Sequence, residues 1–225
     1  MQSSKTHTLI PIAAMLLFVL CYISAAVNYP GGSAVYPLEA GFSMRYNYLC
    51  DLLDTESVGG ALNSGRYWAR IGLFMLCMGL VYLWLKLPIL VRAPLWKIQT
   101  MSTCAIVALI STGFLAMADH DTTVRVSGIF GAVALILALQ GLWRAGRKKL
   151  LWSGMWCLVV FLLNYVMYES GGFYRVLPLL QKVTFLSFIA WFALLNLSIY
   201  QWEVRIDVER PSDSGSFKIS KSLMS

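Results

Sequence analysis

Six apolar runs dominate the chain, at residues 8–27, 67–85, 98–117, 126–143, 150–168 and 176–200. Each matches the roughly 20 residues a helix needs to cross the hydrocarbon core of a bilayer. A backbone in lipid must satisfy its own hydrogen bonds, so such runs fold as helices and not as open sheet. The expected fold is an all-α integral membrane six-helix transmembrane bundle. Residues 1–202 form the membrane domain, with an outer loop at 28–66. Residues 203–225 form a polar, Ser-rich tail read as disordered. The first run follows Lys5 and ends near Ser24, Ala25 and Ala26, in the manner of a signal peptide. It is longer than the usual apolar region of about 7–15 residues, so it is read as an uncleaved span.

Only 13% of the residues are charged, against about 25% in soluble domains. The net charge of +7 does not point to nucleic acid, because the charges fall in the short gaps between apolar runs. The expected partners are membrane lipids. With both termini inside, twelve Lys and Arg lie on the inner side and six on the outer, as the positive-inside bias requires. The clearest inner marker is the loop Arg144–Arg147–Lys148–Lys149. The expected location is a multi-pass position in a bacterial inner membrane. Four of the five cysteines lie inside apolar runs and only Cys50 lies in a polar loop. That pattern implies neither a disulfide framework nor a zinc site, and no cofactor is expected.

Residues 45–70 are the one long polar segment. Asn47, Asp51 and Asp54 are spaced i, i+4, i+7, which a short helix would place on one face. Asn63, Arg66 and Arg70 repeat the spacing at the mouth of the second run. The other unusual residues also fall on the outer side. Asp119, His120 and Asp121 follow the third run, and Arg125 opens the fourth. Asn164 lies in the outer half of the fifth, and Gln181 and Lys182 lie inside the sixth. Charges within a span face partners or cavities, because lipid solvates them poorly.

Two readings stay open. In the first, six outer cations and seven outer acids form a salt-bridge layer, with Arg70 paired to Asp51 or Asp54. In the second, they line a polar pocket. Such a pocket binds an amphiphilic or anionic ligand, such as a lipid head group, through Asn47, Asp54, Asn63, Arg66, Arg70, Arg125, Asn164 and Lys182. Lys182 is then expected at the pocket floor, with Asn164 as a neighbour. An enzymatic alternative is hydrolysis with His120 as general base and Asp121 or Asp51 as its carboxylate partner. A non-catalytic scaffold is the third class. No phosphate loop, GxSxG or HExxH motif is present.

The outer Asn47-x-x-x-Asp51-Leu52 segment, Asn63 and Arg66 at the next helix mouth, His120 after the third run and the Gln181–Lys182 pair form a pattern. It resembles the bacterial and archaeal six-helix membrane proteins grouped as domain of unknown function 998, over about residues 10–200. The resemblance implies the six-helix fold and no assigned activity. A more distant similarity is to lipid hydrolases of the alkaline ceramidase type. Those need several histidines around a zinc, and this chain has two histidines in all.

Overall fold

The computed structural model describes residues 7–115 and 120–209. Among these the chain is all-helical, with six α-helices and no strand beyond two isolated bridges in the long loop. The helices are α1 (Ile10–Val27), α2 (Arg66–Lys86), α3 (Leu95–Gly113), α4 (His120–Arg144), α5 (Lys148–Ser170) and α6 (Leu177–Glu209). Five of them, all but α3, are long and apolar enough to cross a membrane. Helix α3 falls outside this set because it carries Lys97, Gln99, Thr100, Ser102, Thr103, Ser111 and Thr112. It covers 95–113, where the apolar run predicts 98–117.

Consecutive helices pair as three hairpins, α1 with α2, α3 with α4 and α5 with α6. Helix α6 returns to α1 and α2, so the six close into a ring. The α1–α2 pair is the tightest. A Cβ on Gly72 would lie 2.7 Å from Cys21 Cβ, and one on Gly79 would lie 2.4 Å from Ala14 Cβ. Glycine at these positions, one heptad apart, lets the two backbones approach where larger side chains would hold them off. The core behind this seam is continuous from Met15 and Phe18 through Leu73 and Leu83 to Trp191 and Leu195. On the outside, large apolar side chains such as Leu16, Leu20, Phe74, Trp152 and Val166 are exposed. An apolar exterior wrapped round an apolar core is what a lipid solvent permits and water does not.

The 28–65 loop covers one end of the ring, called the loop end below. At the opposite end Glu203 of α6 ties three elements. It accepts from Thr8 Oγ1 and from Lys86 Nζ, the latter at 3.0 Å. Asn196 Nδ2 adds a bond of 2.8 Å to the Thr8 carbonyl. These contacts explain why α6 runs on to Glu209. The expected tail at 203–225 therefore begins later than its polarity suggests, because 203–209 is helix. Residues 210–225 lie outside the described residues. Trp84, near the end of α2, is buried edge-on to Phe192.

Candidate functional site

The loop is built from its polar side chains. Asn47 is fully buried. Its Nδ2 donates to the Gly32 carbonyl at 2.7 Å and to Asp51 Oδ2 at 2.9 Å, and its Oδ1 accepts from Ser43 N at 2.9 Å. Asp51 Oδ2 also accepts from Tyr48 N at 2.8 Å. The expected helix over 47–54 shrinks to a single 3-10 turn, Cys50–Leu53, and Asp54 after it is extended. Asp54 thus leaves the face shared by Asn47 and Asp51. Such a turn exposes carbonyls that the next helix must satisfy. Asn63, also fully buried, places Nδ2 3.4, 3.2 and 3.0 Å from the carbonyls of Asp51, Leu52 and Asp54.

The cations of the loop end follow the same rule. Arg70 donates to the Leu53 carbonyl from Nε at 3.0 Å and Nη2 at 2.8 Å. Arg66 Nη1 donates to the carbonyls of Thr55 and Asn63, both at 3.1 Å. Lys182, only 7% exposed, donates to the carbonyls of Asn47 and Pro178 and lies over the Phe42 ring. The expected pairing of Arg70 with Asp51 or Asp54 is corrected. Among the described residues neither aspartate forms a salt bridge with an arginine. The guanidiniums meet backbone carbonyls because the turn presents those acceptors at closer range. Arg125 does pair with a carboxylate at this end, bonding Glu169 of α5 at 3.2 and 3.4 Å.

Beneath the turn lies a cavity of about 700 Å³ between α2, α3, α4, α5 and α6. Its lining is polar at the loop end, with Asp51, Asp54, His120, Asp121, Asn164 and Gln181. It is apolar in depth, with Leu76, Leu80, Phe161, Phe185, Phe188 and Phe192. A smaller cavity of about 170 Å³ continues behind Phe161 and Phe188 toward Trp84. Gln181 is fixed by Leu49 N, which donates to its Oε1 at 2.8 Å. Asp121 Oδ1 accepts from Tyr168 and lies 3.6 Å from His120 Nδ1. Asn164 Nδ2 is buried and meets no acceptor among the described residues.

Of the candidate residues, Asp51, Asp54, His120, Asp121 and Asn164 line the cavity, whereas Asn47, Asn63, Arg66, Arg70, Arg125 and Lys182 do not. Lys182 is not at the cavity floor, because its ammonium is held by the Asn47 carbonyl. Asp119 lies outside the described residues. Burial pushes the Asp51 carboxyl above its usual range, against its bonds from Asn47 and Tyr48 and the nearby Lys182 ammonium. Burial also raises Asp54, while His120 and Arg70 pull it down. Burial and the neighbouring aspartates push the Cys50 thiol up to about 12. It is therefore a thiol at neutral pH and a poor nucleophile. Among the described residues no three His, Cys, Asp or Glu side chains converge to hold a metal.

The chain matches no family model, no curated protein and no solved structure.

The sequence reading missed the deep wall. A signal for it exists on α6, where Gln181, Thr184, Phe185, Phe188 and Phe192 recur at helical spacing and all line the cavity. Inside an apolar run this stripe reads as lipid-facing or core, and only the ring closure shows that it bounds a space.

Proposed function

We propose that this is a multi-pass membrane protein with six spans and both termini inside, which binds an amphiphilic, lipid-like ligand from its outer face. Helix α3 completes the six, its hydroxyls bonding within the bundle. Thr112 Oγ1 reaches the Ala108 carbonyl at 2.8 Å and Ser127 Oγ at 3.1 Å. The short motifs around Asn47, Asn63, His120 and Gln181–Lys182 support placing the chain with the domain-of-unknown-function 998 proteins, in a plasma membrane. The observation that carries the binding reading is the cavity, polar at the loop end and apolar in depth. Its size is that of a pocket for one small-molecule ligand, about 300–1,000 Å³. Extraction of the purified protein and mass spectrometry should find an amphiphile in near-stoichiometric amount. Protein that is stable and carries none contradicts the reading.

A second reading is hydrolysis of the bound molecule, favoured by His120 lining the cavity beside Asp121. His120 would then act as general base. His120→Ala would lower turnover by about 10²–10⁴-fold and leave ligand retention unchanged.

A further inference from the structure

The lining of the cavity has a sign. Among the described residues its carboxylates are Asp51, Asp54 and Asp121, its one histidine is His120, and no lysine or arginine belongs to it. The cations around it have other partners. Arg70 faces the Leu53 carbonyl, Lys182 the carbonyls of Asn47 and Pro178, and Arg125 is paired with Glu169, and none of the three lines the cavity. An anionic head group would meet carboxylates and no guanidinium, an arrangement that costs free energy instead of supplying it.

Two polar groups remain open to a guest. Asp54, on the rim, accepts no hydrogen bond among the described residues, whereas Asp51 is occupied by Asn47 and Tyr48. Deeper in, Asn164 Nδ2 is a buried donor without an acceptor among the described residues. A buried polar group of this kind is costly unless something pairs with it. The tyrosines Tyr48, Tyr165 and Tyr168 also line the polar end, and aromatic faces attract a cation.

Resting on the amphiphile-binding reading above, we infer that the ligand is a single-chain amphiphile with an ammonium head group. The ammonium meets Asp54, with Asp121 beside it. A hydroxyl or carbonyl oxygen close to that nitrogen accepts from Asn164. The hydrocarbon chain runs down between Leu76, Leu80 and the phenylalanines of α6.

The test uses the full chain in nanodiscs of electrically neutral phosphatidylcholine. Radiolabelled hexadecylamine, hexadecanol and hexadecanoate are compared at neutral pH, with empty nanodiscs as background. Hexadecylamine should bind saturably and about tenfold more tightly than hexadecanoate, the scale of one hydrogen bond to a charged group. Asp54→Asn should weaken hexadecylamine about tenfold and leave hexadecanol within about twofold. Asp121→Asn is the second variant, and thermal midpoints of both confirm folding. Saturable hexadecanol with hexadecanoate equal to or tighter than the amine overturns the charge assignment and leaves the amphiphile reading standing. Amine binding that neither variant weakens also overturns it. No saturable binding of any probe to wild type overturns both.

Discussion

Arg70 of α2 grips the backbone carbonyl of Leu53 with two N–H groups, at 3.0 and 2.8 Å. The loop end is therefore fastened by side chains bonding to backbone, and its carboxylates are left facing the cavity. Arg70→Ala should lower stability in mild detergent by about 1–3 kcal/mol, the cost of leaving a buried carbonyl unsatisfied. The loss should be the same in an Asp54→Asn background, within about 0.5 kcal/mol. A coupling well above that in the double-mutant cycle would restore the ion pair that the sequence spacing suggests.

Asn63 makes the same point more sharply, because its side chain is fully buried. Asn63→Ala should cost about 1–3 kcal/mol, and Asn63→Asp should cost more, since a carboxylate would face carbonyls that need a donor. The order of the two thermal midpoints is the check. If Asn63→Asp is the more stable variant, the residue is not a donor to this turn.

Asp51 should leave a mark on the pH dependence of stability. Its carboxyl is raised in the folded state above the ordinary value of 3.8, chiefly by burial. A raised acid binds its proton more tightly when folded. That contribution is fully present below the unfolded pKa and is lost as pH rises through the higher folded value. Thermal midpoints should thus fall as pH climbs upward from about 4, with Asp54 contributing in the same direction. Asp51→Asn should flatten the slope. An unchanged slope, or a midpoint that rises over this window, counts against a buried carboxyl raised in this way.

Topology can be read by labelling. In a cysteine-free background Lys148→Cys, at the start of α5, should be shielded in whole cells from an impermeant thiol reagent. Gly172→Cys, between α5 and α6, should react. Both positions are exposed and neither has a positive φ, unlike Gly146 and Gly171 beside them. The reverse pattern would place the cavity mouth on the inner side.

Much of this fold was legible because run length alone specifies apolar helices. The positions of α1, α2, α5, the end of α4 and the start of α6 follow from it, whereas α4 begins at His120, ahead of the run at 126–143. The end of α6 did not follow, since the bonds of Glu203 to Thr8 and Lys86 join residues far apart in sequence. Asn47 stood out in the polar segment, Asn63 at a helix mouth and Gln181 inside the sixth run, and all three fasten the loop. Their partners were misjudged because charge spacing is visible in a sequence and the free carbonyls of a 3-10 turn are not. The cavity was the least legible feature. Phe161 and Phe188 face a space only because six helices close into a ring, and ring closure is a property of packing.

A binding site between α2 and α6 would retain a ligand, and an idle gap would not. Gly128 lines this space, and a Cβ there would find only Phe161 Cζ, at 3.8 Å. Gly128→Trp should therefore fill the middle of the cavity without displacing backbone, keeping or raising the thermal midpoint. Native mass spectrometry of wild type and variant, purified side by side, measures what each retains. Wild type should carry a bound amphiphile and Gly128→Trp little or none. Equal retention by a well-folded Gly128→Trp protein would contradict a binding site there.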